Sequence, residues 1–150
     1  VGSVGCCGEM EQLHTTIQKL QTKNVDKQPG LMSNHKSIIV SDAAPLEQYK
    51  WGNDCDAYVL VDEPELSVKL EQMPVGTCEL VHFHRHCQQF FYVLAGEASM
   101  EIDEDAIQLK QSEGVLIAPG AKHRICNHGT STLRFVVTSQ PAVGTDRIAV

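Results

Sequence analysis

The stretch that decides the fold is GTCELVHFHRHCQQFFYVLAG, residues 76–96. Cys78, Leu80, His82 and His84 share one parity, and alternate positions of a strand project to one face. His82 and His84 therefore point together, and their imidazoles can meet one ion from neighbouring corners. A third imidazole from another strand would complete a facial set that leaves positions open for water or substrate, as catalytic metal sites require. His123 follows about forty residues later, with His128 beyond it. Imidazole suits Zn, Fe, Ni and Cu alike, so ligand type does not choose the metal.

Outward from this segment the chain reads as strand after strand. Ser37–Val40 and Tyr58–Val61 are short β-branched runs, and Leu66, Val68 and Leu70 alternate with Ser67, Lys69 and Glu71. That period of two predicts a half-buried strand. Phe90–Leu94 is dense in aromatic and aliphatic residues, and its consecutive Phe90, Phe91 and Tyr92 must alternate between interior and surface. Met100 and Ile102, then Ile107 and Leu109, flank the acidic Asp103–Asp105, which predicts a hairpin turn. Val115–Ile117, His123–Asn127 and Leu133–Thr138 complete about nine short strands, the pattern of an all-β sandwich or barrel. Residues 1–35 differ: Leu13, Ile17 and Leu20 suit a short helix within 9–23, and Pro29-Gly30 signals a linker. They are read as an N-terminal arm, partly helical or disordered, that packs on a partner subunit or, since Met32 could be the true start, precedes the protein proper. Residues 36–150 form the barrel domain.

Twelve basic against nineteen acidic residues give a net charge of −7, which disfavours nucleic-acid and anionic-membrane surfaces. No apolar run is long enough to span a bilayer, and no basic stretch followed by an apolar run marks a secretory signal, so a cytoplasmic location is expected. The six cysteines, Cys6, Cys7, Cys55, Cys78, Cys87 and Cys126, contain no CxxC pair and are read as free thiols. Neither a GxxxxGK[ST] phosphate loop nor a GxSxG nucleophile elbow occurs. Glu79 is set aside as a ligand because its parity opposes that of His82. His86 is assigned to a loop, Cys87 to the interior, and Trp51 and Tyr58 to either an entrance or a subunit contact.

The spacing carries a more specific signal. Gly76, five residues, His82-x-His84, four residues, Gln89, six residues and Gly96 resemble the first motif of the cupin superfamily, with Gln89 where Glu is usual. Gly120, His123 and Asn127 sit at the Gly-x-x-His-x-x-x-Asn spacing of the second motif, with Ser112 at its usual Gly and Ala118 at its usual first Pro. The resemblance covers roughly residues 50–140. It implies an antiparallel jelly-roll (double-stranded β-helix) barrel holding one divalent transition metal, Fe, Mn, Ni or Zn, on His82, His84, Gln89 and His123. It also implies a homodimer, and a backbone-bonding rather than substrate-binding role for Asn127. A neutral amide at Gln89 leaves the ion's charge intact and can withdraw, giving a three-histidine face like that of some cupin dioxygenases. Cupin sugar-phosphate isomerases also tolerate Gln there. The expected function is a metal-dependent, dioxygenase-like enzyme acting on a small polar molecule. A sugar or keto-acid isomerase or lyase and a non-catalytic binding module stay open as alternatives, because a fold does not name a substrate.

Overall fold

The computed structural model describes residues 37–150. The expected arm at 1–35, its helix at 9–23, and Cys6 and Cys7 lie outside the described residues. Among the described residues the regular elements are strands: β1 (Glu47–Trp51), β2 (Cys55–Glu63), β3 (Leu66–Met73), β4 (His82–His84), β5 (Gln88–Ala95), β6 (Ala98–Ile102), β7 (Asp105–Leu109), β8 (Gly114–Ile117), β9 (His123–Cys126), β10 (Leu133–Gln140) and β11 (Arg147–Ala149). They form a six-stranded sheet in the order β1-β2-β3-β10-β5-β8 and a five-stranded sheet in the order β11-β4-β9-β6-β7. The pairings are antiparallel, and the non-sequential neighbours are those of a jelly roll. No helix among the described residues is long and apolar enough to cross a membrane.

Alternation builds the core. On β5, Phe91 and Val93 are buried while Phe90, Tyr92 and Leu94 face outward. On β10, Leu133, Phe135 and Val137 point in, and Phe91 meets Phe135 with ring centroids 5.9 Å apart. Met73, Met100, Ile117 and Ile125 fill the space between the sheets. The acidic hairpin forms as expected: Ile102 pairs with Asp105, and Asp103 takes the left-handed backbone (φ 54°) that two-residue hairpin loops require.

The motif glycines do conformational work. Gly76, Gly96 and Gly120 have φ of 83°, 80° and 85°, a region costly for residues with a Cβ. At Gly96 a Cβ would also press to 3.0 Å of the Thr132 carbonyl oxygen. Ser112, which departs from the second motif, holds the same left-handed backbone (φ 69°) that glycine would take without strain.

Several expectations are corrected. Ser37–Val40 is not a strand: Ile38 and Ile39 face solvent, and no neighbouring strand covers them. The strand expected from Cys78 to His84 is interrupted: only His82–His84 is continuous, and Cys78 makes an isolated bridge to Cys126. Cys78 and Cys126 are disulfide-bonded rather than free. They lie 48 residues apart and meet only because the two motifs pair across the sheet, which spacing alone does not reveal. Cys55 and Cys87 are free and buried. Strands β1 and β11 were not foreseen, the first because EQYKW is mostly polar, the second because it has three residues.

Candidate metal centre

Strand pairing assembles the histidines. His82 of β4 lies directly opposite His123 of β9, with ring centroids 4.4 Å apart. His84, two residues along the same face, is 5.0 Å from His82 and 5.6 Å from His123 by the same measure. One nitrogen from each of the three lies within 4.8 Å of the others, and all three side chains are buried. Gln89 arrives from β5 in the opposite sheet. Its Oε1 is 3.0 Å from His123 Nε2, and its Nε2 donates to Ser139 Oγ at 3.1 Å.

The surroundings prepare the imidazoles as ligands. His82 Nδ1 donates to the Leu80 carbonyl at 3.0 Å, and His123 Nδ1 donates to the Ala121 carbonyl at 2.9 Å. With the proton fixed on Nδ1, each Nε2 presents a lone pair to the cluster, as metal-binding histidines do. His123 Nε2 and Gln89 Oε1 then face each other as two lone-pair donors. Their 3.0 Å separation is what adjacent donors about 2.1 Å from one ion would show at a right angle. Neither nitrogen of His84 has any partner although both are buried, a costly state that a bound cation would relieve. Burial pushes His82 down to about 3 and lowers His84 and His123 as well, so all three are neutral, the form that binds metal. The residues present therefore fit a metal ion.

The centre opens onto a cavity of about 320 Å³ whose far wall sequence reasoning missed. Across the ladder, Lys69, Glu71 and Met73 of β3 stand opposite Val137, Phe135 and Leu133 of β10. Those partners belong to the core, so the polar parity of β3 faces the interior, while Leu70 on the other parity is buried as well. Glu79 also lines the cavity, its Oε1 3.8 Å from His82 Nε2. The parity that set Glu79 aside does not hold, because residues 79–81 are not a strand. Arg147 of β11 enters from the other side and donates to Glu79 Oε1 at 3.2 Å. Immediately before it, the Asp146 carboxylate accepts the backbone N–H groups of Arg85, His86 and Cys87 at 3.1, 2.9 and 2.9 Å. Those bonds hold its carboxyl below the usual range and tie the β4–β5 loop to the strand that supplies Arg147. His86 is exposed in that loop, Cys87 is buried, and Trp51 lines the cavity while Tyr58 does not, as the open alternatives allowed.

Two motifs at their expected separation, three converging histidines and a jelly roll meet in one site, and the family model described as "Cupin domain" matches residues 69–139. The chain carries a cupin domain. Among curated proteins, this cupin is 30% identical over 69 residues to an uncharacterized protein, MJ1618, of Methanocaldococcus jannaschii, covering 46% of this chain and 55% of that one. It is 28% identical over 60 residues to the polyketide synthase CurC of Streptomyces cyaneus, covering 40% of this chain and 39% of that one. The chain thus spans about half or less of the curated relatives it matches. Among solved structures it resembles a conserved Klebsiella pneumoniae protein with a double-stranded β-helix domain, at TM-score 0.65 and 21% identity, covering 77% of this chain and 98% of that one. A Thermotoga maritima protein described as a predicted oxalate decarboxylase matches at TM-score 0.63 and 16% identity, covering 70% of this chain and 100% of that one. At these identities the two structures show the fold alone.

Glu71 has a measurable signature. Burial first, and the neighbouring Glu79 second, push its carboxyl up to about 8, against the opposing pull of Lys69 and Arg147. Between pH 4.5 and 8 the folded protein keeps a proton that the unfolded chain has released, so this residue makes stability fall as pH rises through that window. Glu71→Gln is expected to match the parent near pH 4. It should exceed the parent by about 2 kcal/mol near pH 9, a figure discounted from the full shift because the cavity admits water. Urea unfolding of metal-free protein at the two pH values reads the difference, and equal gains at both would contradict the assignment.

Proposed function

We propose that this cupin is a metal-dependent enzyme that binds a small polar anion and moves a proton beside its carbonyl group, as an isomerase or lyase does. The observation that carries the reading is the cavity lining: Glu71, Lys69 and Arg147 face the same space as His82, His84 and Gln89. A metal held by His82, His84 and His123, with Gln89 beside them, would supply Lewis-acid polarisation of a substrate oxygen. The chain's own groups do the rest. Arg147 and Lys69 offer N–H donors to a carboxylate or phosphate, Arg147 in a fork suited to either. Glu71 gives a proton to substrate oxygen or carbon and can take one back, being poised near working pH. Trp51 and Val137 line the same cavity and limit water there.

A dioxygenase remains the second reading, favoured by one feature. Gln89 is a neutral fourth donor anchored to Ser139, so a three-histidine face with open positions is within reach of the site. The expected homodimer belongs to the same proposal. Phe90, Tyr92 and Leu94 of β5 and Leu116 of β8 form an exposed apolar stripe, with Phe90 paired to Leu116, which supports a covered sheet face.

The test follows 2-keto acids and ketose phosphates by proton NMR in D₂O, beside a dioxygen electrode, with metal-loaded protein. Deuterium should appear at the carbon next to the carbonyl without oxygen uptake. Glu71→Gln should lose about 100-fold in kcat with KM little changed. Oxygen uptake without exchange would replace this reading by the dioxygenase.

A further inference from the structure

A second group of metal-ligating side chains lies outside the histidine centre. Cys78 and Cys126 are joined as a disulfide, and His128 Nε2 stands 3.5 Å from Cys78 Sγ. The two sulfurs and one nitrogen all fall within 4.8 Å of one another. Cys126 is buried, Cys78 half-buried, and His128 exposed, so the group opens to solvent on the His128 side.

The backbone holds this group together without help from the sulfur–sulfur bond. Glu79 N–H donates to the Ile125 carbonyl at 2.9 Å, and Asn127 N–H donates to the Thr77 carbonyl at 2.9 Å. Gly76 N–H donates to the Asn127 carbonyl at 2.8 Å. These bonds flank the Cys78–Cys126 pair, whose Cα atoms are 4.1 Å apart, so the two residues form a non-hydrogen-bonded pair of an antiparallel ladder, the kind in which side chains lie closest. Asn127 adds side-chain bonds to Met73 and Ser131 on the same segment. When the disulfide is reduced, the ladder keeps both thiols opposite each other and beside His128. Two thiolates and an imidazole are a soft donor set, suited to Zn²⁺ or Cu⁺ and unlike the all-nitrogen-and-oxygen centre around His84.

We propose that the reduced Cys78–Cys126 pair and His128 form a second, redox-gated site for a thiophilic metal ion, open when the disulfide is reduced and closed when it is oxidised. A dithiol reductant supplies two electrons and two protons: the Cys78–Cys126 bond breaks, each sulfur becomes a thiol, and the reductant closes its own disulfide. The entering metal displaces both thiol protons to solvent, and His128 binds as neutral imidazole. One position is left for water. Because these residues are not the histidine ligands, this site stands whether or not the proposed enzyme activity does.

Cobalt(II) titration of the full chain tests it, because thiolate-to-cobalt charge transfer absorbs in the near ultraviolet and histidine sites do not produce that band. The protein is reduced anaerobically with a water-soluble phosphine, which takes its oxygen from water and does not compete as a thiol. Reduced wild type should develop the band, the histidine centre taking up to one further equivalent of cobalt without contributing to it, and oxidised protein should not. The band should persist in His84→Ala, vanish in Cys78→Ser, and require at least about tenfold more cobalt in His128→Ala, whose exposed side chain leaves folding intact. No band in reduced wild type overturns the proposal. So does an undiminished band in Cys78→Ser, which would place it on other cysteines, or unchanged affinity in His128→Ala.

Discussion

His84→Ala should purify with little metal where the parent carries close to one equivalent, and its affinity for a divalent transition ion should fall by at least about 100-fold. Removing only an outer partner of a ligand costs about 10- to 100-fold in metal affinity, and His84 is expected to be a ligand itself. Its position is favourable for a clean result. Both its nitrogens are buried without partners, so the metal-free protein loses no hydrogen bond when the ring is removed. Folding should therefore be nearly unchanged without metal, while the stabilisation that metal confers disappears. For the parent that stabilisation is about 2.7 kcal/mol at a metal concentration 100 times Kd. Elemental mass spectrometry on protein made without a histidine tag, with thermal unfolding with and without added ion, reads both effects. Equal metal in parent and variant would mean the three histidines are not the binding group.

The largest effect on stability is expected at Asn127, away from any substrate. Its side chain is fully buried and makes three bonds: Nδ2 donates to the Met73 and Ser131 carbonyls, each at 2.9 Å, and Oδ1 accepts the Gly129 N–H at 3.0 Å. Asn127→Ala leaves the buried Met73 carbonyl unpaired and removes two partly buried bonds, one to the Ser131 carbonyl and one from the Gly129 N–H. At about 1 kcal/mol or more for each, the cost is about 3 kcal/mol, or roughly 10 °C in Tm for a unit of this size. Metal binding by folded protein should persist, which separates this residue from the ligands. A loss under about 1 kcal/mol in chemical unfolding would show that water replaces the amide and that the asparagine is not what fixes the turn.

These two residues show why part of the site was legible in the sequence. A strand's period of two pairs His82 with His84, and the resemblance to the two cupin motifs, whose glycines take the turns at Gly76, Gly96 and Gly120, adds Gln89 and His123. Asn127 was legible only through its place in the second cupin motif, whose resemblance implies a backbone-bonding side chain there. The opposite wall was not legible. Lys69 and Glu71 look like the solvent face of an amphipathic strand, and only the pairing of β3 with β10 reveals that this face looks inward. A cavity inverts the usual pattern, because a pocket for a polar ligand is an interior lined with polar groups. Glu79 was hidden by a break in the strand, and Arg147 by an element too short to have a period. The disulfide was hidden because pairing between distant segments is a property of topology, not of local sequence.

The placement of Arg147 separates what keeps the barrel folded from what it recognises. β11 is an outermost strand of three residues, paired only with β4, and none of its side chains belongs to the core cluster. Exchanging the guanidinium for an amide, a hydroxyl or an opposite charge would change the ligands admitted at small cost to the scaffold. Under the proposed function, a lineage could therefore trade one substrate for another by drift on this edge strand while histidines, glycines and core stay fixed. The same economy gives the protein engineer a position at which to randomise first.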